Sequence, residues 1–296
     1  MDAISLSIFA NRIDAICSEM GVTLQRSAFS PNIRDRLDYS CAIFDSSGEL
    51  CAQAAHIPVH LGSMAFAMSD VVSTIQWSPG DMIVLNDPFK GGTHLPDVTL
   101  IAPLFVDQVL MGFVANRAHH ADIGSETPGS MPLSSSLMEE GLVIEPALLV
   151  ENGQIIESYF DELMQNMRNP QESSGDFIAQ IAANRRGLDR LATLIGKIGA
   201  KEYQRSLCSL NDYATVLAKN SLCEIENGDY CFSDVLDDDG QGQEDILIQA
   251  KVSFKDGCVT VNFDGSAKQV PGNINCPLSV TAAAVYYVGG IRQRNT

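Results

Sequence analysis

The sequence predicts an α+β fold, in which mixed, mainly antiparallel sheets pack against several long helices. The chain opens with apolar residues that recur every three or four positions, which is the period of an amphipathic helix. Short apolar runs rich in Val, Ile and Leu follow, and they are bounded by Gly, Pro and Asp clusters in the manner of strands. Because 45% of the 296 residues are hydrophobic, the chain can bury a substantial core.

The first part of the chain is predicted to hold two helices and a hairpin. Apolar residues in the range 3–24 form a stripe along one side of a helix. Residues 40–54 have the pattern of a hairpin around the turn Ser46-Ser47-Gly48. A second helix over 61–76 should end before Ser78-Pro79-Gly80, since proline and glycine stop the helical repeat.

Three strands are predicted next, followed by a second hairpin. The apolar ranges 82–85, 98–106 and 109–115 are the strand candidates. Residues 147–157 surround Asn152-Gly153, a dipeptide that favours hairpin turns. We therefore expect a sheet that frames the polar segments lying between these strands.

The rest of the chain is predicted to be helical and then rich in strands. Long helices should fill 158–168 and 175–225, and the composition changes at Asn227-Gly228-Asp229. We therefore predict a metal-site catalytic domain over 1–226 and a β-rich segment over 227–296. The expected strands of that segment are 230–235, 246–254 and 258–263, and an apolar run over 282–288 follows them.

Charge and cysteine content exclude several classes of protein. The formal net charge of −18 would repel nucleic acid and anionic membranes, so neither is an expected partner. No apolar run approaches the roughly 20 residues of a membrane span, and the first residues lack a basic signal region. We therefore expect a cytoplasmic protein. The eight cysteines include no C-x-x-C pair, so we interpret them as reduced and mostly buried thiols.

Histidines and aspartates predict a divalent-metal site. His94 and Asp97 lie three residues apart after Gly91-Gly92, whose flexibility lets the loop fold tightly around an ion. The alternative for this pair is a surface loop with a helix-capping aspartate. Ligation by His and Asp without thiolate suits Zn, Mn, Fe or Co and leaves positions open for water or substrate.

The second half of the predicted site is His119-His120-Ala121-Asp122. If the strands over 98–106 and 109–115 pair antiparallel, His94 and His119 lie at the same end of the sheet. Neighbouring residues of a strand point to opposite faces, so periodicity alone does not choose between His119 and His120 as a ligand. The alternative is a single core histidine satisfied by a carboxylate.

Two earlier histidines and several absent motifs limit the mechanism. His56 and His60 are four residues apart, but Pro58 between them argues against a helical zinc pair, and structural and substrate-positioning roles stay open. The chain has no phosphate-binding P-loop and no G-x-S-x-G nucleophile motif. If the reaction uses ATP, we therefore expect the nucleotide to bind to another chain.

Several long stretches of the sequence resemble the signature motifs of one family, the hydantoinase B/oxoprolinase family. They occur in the family's order and cover nearly the whole chain, which makes the resemblance specific. The stretches are Gln25–Ser40, His56–Met64, Asn86–Asp97, Arg117–Gly124, Pro128–Pro132, Glu139–Leu142, Gly175–Asn184 and Pro271–Leu278.

This resemblance implies a reaction, a partner and a set of ligands. The family includes ATP-dependent N-methylhydantoinases, 5-oxoprolinases and the large subunits of acetone and acetophenone carboxylases. It implies a hetero-oligomer with a hydantoinase A-type subunit, which binds ATP and phosphorylates the carbonyl or enol oxygen. It also implies that His94, Asp97 and His119 hold the metal, with Zn or Mn expected, and it favours His119 over His120.

We therefore expect the catalytic subunit of an ATP-dependent cyclic amidase that opens hydantoin or 5-oxoproline. His120 or Asp122 is expected to transfer the proton, and Arg36, His56 and His60 are expected to bind the substrate. The alternatives are a metal-dependent ketone carboxylase subunit and a non-catalytic scaffold subunit.

Two departures from the family pattern accompany the resemblance. Ser125 stands where the family commonly has a second glycine. The residues after Val288 do not continue as the family does, so we expect the chain to be C-terminally truncated relative to the family.

Overall fold

Seven strands form one sheet whose end carries the predicted site. The computed structural model describes residues 2–55, 57–127 and 132–294. Its neighbouring strands all pair antiparallel, in the order β2-β1-β5-β4-β3-β6-β7. The strands are β1 (Tyr39–Phe44), β2 (Leu50–Ala55), β3 (Met82–Leu85), β4 (Asp97–Val106), β5 (Val109–His119), β6 (Ala147–Glu151) and β7 (Gln154–Ile155).

Helices cover both faces of this sheet. They are α1 (Ala3–Ser27), α2 (Pro31–Arg34), α3 (His60–Thr74), α4 (Leu137–Glu140), α5 (Glu157–Gln165), α6 (Pro170–Ile198), α7 (Ala200–Cys223) and α8 (Leu278–Arg294). Among the described residues, no helix is both long and apolar enough to cross a membrane. The α+β class and the antiparallel sheet predicted from the sequence are confirmed.

The central strands are buried on both sides, so the molecule has two cores. In β1, Cys41 and Ile43 belong to the core beneath α1 and α6, while Ala42 and Phe44 belong to the core beneath α3. This alternation follows from the period of two along a strand. The sheet therefore lies between two helical layers, and its ends are the places where polar side chains can reach solvent.

The first helix forms as the apolar spacing predicts. The side chain of Asp2 accepts the backbone N–H of Ser5 and caps the helix. Helix α1 buries Ile13, Ile16 and Met20 and packs along α6. Gly187 of α6 permits this close approach, because a Cβ there would lie 2.5 Å from the sulfur of Met20.

The single helix predicted over 175–225 is wrong, because the structure divides it into α6 and α7. Gly199 ends α6 with a φ of +87°, a left-handed conformation that favours glycine. Helix α7 then packs Tyr203 against Phe9 of α1, with ring centroids 5.9 Å apart. Both helices bury apolar stripes in the same core, so the apolar repeat over 175–225 does not reveal that the helix ends at Gly199.

A second sheet of three antiparallel strands follows α7. Its order is β10-β9-β8, with β8 (Gly228–Asp238), β9 (Glu244–Lys255) and β10 (Cys258–Asn262). The predicted boundary near 227 falls between α7 and β8, and the division into two domains stays a prediction. The segment 227–296 also sends α8 back to the first part of the chain, where Ser279 donates a hydrogen bond to the carbonyl of Gly92.

Candidate metal centre

Three strands bring polar side chains together at one end of the large sheet. Asp97 begins β4 and His119 ends β5, and the two residues are direct partners in the antiparallel register. The backbone N–H of His119 also donates to the carbonyl of Asp38, which precedes β1, at 3.0 Å. Residues far apart in the sequence therefore lie side by side.

A glycine-containing loop returns His94 to this sheet end. Gly91 adopts a φ of +98°, and the N–H of Gly92 donates to the carbonyl of Asp87 at 2.8 Å. A Cβ on Gly92 would lie 2.1 Å from the carbonyl oxygen of Asn86, so a larger residue does not fit. The backbone N–H of Asp97 then donates to the carbonyl of His94 at 3.0 Å, which closes the turn between them.

The three predicted ligands form one compact group. His94 Nδ1 lies 3.2 Å from Asp97 Oδ2, and His119 Nδ1 lies 3.7 Å from Asp97 Oδ1. One ligand atom from each residue lies within 4.8 Å of the others. The Asp97 side chain is 1% exposed, whereas His94 is 28% exposed. Asp97 therefore lies at the buried end of the group, and His94 lies on the side that is open to solvent.

The electrostatics keep Asp97 ionised. Burial by itself would raise the pKa of this carboxyl, but His94 and His60 beside it hold the pKa well below its ordinary value. For His94, burial opposes protonation, but the neighbouring Asp97 raises the pKa of the imidazole above its ordinary value. The Thr93 hydroxyl donates a hydrogen bond to Asp97 Oδ2 and fixes the orientation of the carboxylate.

These residues fit a divalent cation. Imidazole nitrogens and a carboxylate are the donors that Zn and Mn accept. The buried Asp97 Oδ1 has no hydrogen-bond partner among the described residues, although buried carboxylate oxygens are normally paired. Two ligands of a tetrahedral zinc ion, each at about 2.0–2.2 Å, lie roughly 3.3–3.6 Å apart, which is close to the separations found here.

Two further residues join the group, and sequence reasoning missed one of them. Asp38 was given no role, yet its Oδ2 lies 3.5 Å from His119 Nδ1. His60 was predicted to bind substrate, and the structure buries it beside Asp97. The sequence signal for Asp38 is its position within the family-like stretch Gln25–Ser40, two residues before the predicted hairpin over 40–54.

His120 lies outside this group and points toward α6. Its Nε2 is 2.9 Å from Gln180 Oε1, and its ring packs against Phe177 with centroids 4.6 Å apart. Burial lowers the pKa of His120 below its ordinary value. The side chain of His120 is 1% exposed. These contacts do not test the proton-transfer role of His120, which stays a prediction.

The other predicted residues also lie outside the group. Asp122 accepts the backbone N–H of Gly124 at 2.9 Å and that of Asn169 at 2.7 Å, so its carboxylate holds the chain at the start of α6. Proton transfer by Asp122 stays a prediction. Arg36 is exposed in the turn after α2, and His56 lies outside the described residues.

A buried arginine supports the loop from behind. Arg117 donates to Thr99 Oγ1 at 2.8 Å, to Ser63 Oγ at 2.6 Å and to the carbonyl of Gly91 at 2.9 Å. Burial lowers the pKa of its guanidinium to about 10, which leaves the side chain charged at neutral pH. The cation therefore ties α3, β4 and the glycine loop together beside the ionised Asp97.

Comparison with known proteins identifies the family. The hydantoinase B/oxoprolinase family model matches residues 2–291. The chain belongs to the hydantoinase B/oxoprolinase family. This confirms the resemblance that the sequence motifs indicated.

Relatives of this family member are distributed across distant organisms. An uncharacterised protein, MJ0963, from Methanocaldococcus jannaschii is 38% identical over 97% of this chain and 51% of its own length. The 5-oxoprolinase 1 of Arabidopsis thaliana is 36% identical over 97% of this chain and 25% of its own length. The chain therefore spans about half, or less, of the length of these curated relatives.

A solved structure shares the fold. The ATP-dependent caprolactamase from Pseudomonas jessenii superposes with a TM-score of 0.89 at 30% sequence identity. The match covers 97% of this chain and 50% of the caprolactamase chain. The α+β architecture described above is thus shared with this solved structure.

Proposed function

We propose that this protein is the catalytic subunit of an ATP-dependent enzyme that opens a cyclic amide such as hydantoin or 5-oxoproline. The observation that carries the proposal is the group of His94, Asp97 and His119, open on one side, within a hydantoinase B/oxoprolinase fold. The likeness to a caprolactamase supports a lactam as the substrate class. A scaffold role alone would not explain why His94, Asp97 and His119 are grouped together.

The proposed reaction needs a second subunit. An unactivated lactam is a poor electrophile, and phosphorylation of its oxygen creates a leaving group. The chain contains no P-loop, and its charge of −18 disfavours phosphate binding. We therefore assign ATP to a hydantoinase A-type partner in a cytoplasmic hetero-oligomer, with neither nucleic acid nor membrane as a partner.

The residues of this chain would prepare the site for a divalent metal, Zn or Mn. A bound ion of this kind polarises a carbonyl oxygen or lowers the pKa of water toward about 7. Asp97, which is kept ionised at the buried end of the group, would supply a carboxylate ligand. His94 and His119 would supply imidazole nitrogens as ligands from the open side. Thr93 orients Asp97, and Arg117 stabilises the loop that carries His94.

An assay with the partner tests this function. The chain is combined with a purified hydantoinase A-type subunit and ATP, and then with hydantoin, 5-oxoproline, caprolactam, or acetone with bicarbonate. We expect ring opening of at least one lactam, lost in Asp97→Asn and retained in Asp35→Asn, whose carboxylate is exposed and paired with Arg34.

Other outcomes would contradict the proposal in different ways. ATP-dependent fixation of bicarbonate onto acetone, without lactam hydrolysis, would assign the subunit to the ketone carboxylases. Absence of turnover on all four substrates, in a complex whose assembly has been verified, would favour the scaffold role.

A further inference from the structure

The second sheet has one apolar face and one polar face. In β9 every second residue from Ile246 to Phe254 is apolar, and these side chains share one face because side chains alternate along a strand. Their direct partners in β8 and β10 lie on the same face, which we call the apolar face. The apolar partners are Tyr230, Phe232, Leu236, Val259 and Val261.

The opposite face is polar and suited to contact with water. Ser253 Oγ donates a hydrogen bond to Asp229 Oδ1 at 2.6 Å, and Lys251 Nζ lies 2.8 Å from Asp229 Oδ2. Antiparallel sheets with this division commonly pack the apolar face against another layer and leave the polar face in water. The sequence of the second sheet is therefore that of a sheet covered on one side.

The apolar face is nevertheless exposed in the part of the chain that the structure describes. Phe232 is 71% exposed, Tyr230 is 48% exposed, and Leu236 and Ile248 are each 41% exposed. Tyr230 packs edge-on against Phe254, with ring centroids 5.9 Å apart, but this contact lies within the face itself. Large contiguous apolar patches on the surface of a protein mark interaction surfaces.

The dimensions and charge of the apolar face limit what can cover it. The 11 residues of β8 extend roughly 36 Å at about 3.3 Å per residue, and the three strands lie about 4.8 Å apart. A packed layer of helices or strands matches a surface of this length better than one short peptide does. A second copy of the chain is disfavoured, because each copy has a formal net charge of −18 and carries Asp234 on this face.

Relatives of this chain have enough additional polypeptide to supply such a layer. The match to MJ0963 covers 97% of this chain but 51% of that protein, and the match to the caprolactamase covers 50% of its chain. We infer that the apolar face is the docking surface for the part of the family's polypeptide that lies outside the matched region. This inference does not depend on the metal centre.

Co-expression tests the docking directly. The 296-residue chain is produced together with a tagged polypeptide that carries the unmatched part of MJ0963, which is 38% identical to this chain in the matched part. We expect a complex with one copy of each polypeptide, measured by light scattering after size-exclusion chromatography. Hydroxyl-radical oxidation of Tyr230 and Phe232 should fall several-fold in the complex, while that of Leu247 on the opposite face should not change.

Two neighbouring residues of β9 provide matched variants. Ile248→Lys places a charge on the apolar face, and we expect the affinity for the unmatched part to fall by about 100-fold or more, because an unpaired charge would be buried there. Leu247→Lys places the same charge on the opposite face at a residue of similar exposure, 38% against 41%, and should bind like the wild type. Circular dichroism checks that both variants fold, and the oxidation pattern of the wild type is decisive without them.

Three results would overturn the inference. The first is failure of the wild-type chain to retain the unmatched part as a soluble complex. The second is a complex in which Tyr230 and Phe232 stay as reactive as in the chain alone, or in which the two variants bind equally well. The third is a dimer of this chain alone that Ile248→Lys dissociates, which would assign the apolar face to a second copy. None of these measurements uses metal or turnover, so each leaves the proposed function to its own assay.

Discussion

At the scale of single residues, Asp97 is the side chain on which the site depends. It is almost fully buried, it is ionised, and it contacts histidines from three segments of the chain. Removing it would leave those imidazoles without a common partner. Substitutions of its neighbours can distinguish the predicted ligands, whose loss should reduce metal binding, from the supporting residues, whose loss should reduce stability.

Substitution of the predicted ligands should remove metal. His94→Ala and His119→Ala each delete a ligand, and Asp97→Asn removes the negative charge of a ligand. We expect the affinity of each variant for the metal to fall by more than the roughly 10–100-fold typical of changes to residues that support the ligands. His120→Gln should keep most of the metal, since His120 contacts α6 instead. Isothermal titration with Zn(II) measures both effects, and loss with His120 but not His119 would shift the ligand assignment by one residue.

Replacement of Arg117 should destabilise the fold. Arg117→Met deletes three hydrogen bonds and leaves the buried Asp97 without its neighbouring cation, for which we expect a cost of about 3–5 kcal/mol. The exposed Arg12→Lys serves as a control and should change stability by less than about 0.5 kcal/mol. Chemical denaturation measures the free energy of unfolding. A loss below about 1 kcal/mol in Arg117→Met would contradict this role.

Part of the site could be predicted from the sequence, and the reason is local. Asp97 and His119 belong to one hairpin, so their approach follows from antiparallel pairing of neighbouring strands. Asp38 could not be found in this way, because β1 pairs with β5 across a long stretch of chain. The use of Asp122 at the start of α6 depends on tertiary contact with Asn169, which no spacing in the sequence reveals.

At the scale of elements, the packing of α6 on α1 and the sheet holds the site in place. Gln180 Nε2 donates to the carbonyl of Val98 and Asn184 Nδ2 to that of Leu100, so α6 is bonded directly to β4. Asn116 of β5 donates to Asn184 and completes the buried network. The family-like motif over 175–184 therefore has a structural role in positioning the strands that carry Asp97 and His119.

Two glycines of α6 should respond oppositely to alanine. Gly187→Ala places a methyl group 2.5 Å from the sulfur of Met20, and we expect overpacking to cost about 1–3 kcal/mol. Gly196→Ala meets no atom within 4 Å, so its higher helix propensity should stabilise the protein by up to about 1 kcal/mol. Thermal unfolding compares the two, and equal shifts in the same direction would contradict the packing described.

Elements that depend on local sequence pattern were predicted correctly, and features that depend on tertiary contacts were not. The opening helix and the strands around the site were predicted from period and turn residues, and they agree with the structure to within a few residues. The break at Gly199 was missed because a glycine within an apolar repeat does not by itself show that the chain reverses. The order of the strands in the sheet could not be predicted either, since β1 and β5 are distant in the sequence and pair only in the tertiary fold.

At the scale of the whole molecule, the chain carries the candidate metal group of His94, Asp97 and His119, and its sequence contains no P-loop motif. Its 37 acidic residues outnumber 19 basic ones, and the site opens at the end of a sheet enclosed by helices. This division agrees with an enzyme in which ATP is used on one subunit and the ring is opened on another.

The isolated chain should therefore not hydrolyse ATP. We expect phosphate release to stay at the background rate over a range of ATP and Mg²⁺ concentrations, because the sequence contains no P-loop motif. A coupled phosphate assay measures this, with the assembled two-subunit enzyme as the positive control. Robust hydrolysis by the single subunit, unchanged in Asp97→Asn, would contradict the proposed division between subunits.

The most direct test of the account is an anomalous diffraction measurement on crystals grown with Zn(II) or Mn(II). Data collected above and below the absorption edge of the metal locate the bound ion without reference to activity. We predict an anomalous peak about 2.0–2.3 Å from an imidazole nitrogen of His94, an imidazole nitrogen of His119 and a carboxylate oxygen of Asp97. A folded protein crystallised at saturating metal, with no anomalous peak among these three side chains, would contradict the claim that they form the metal centre.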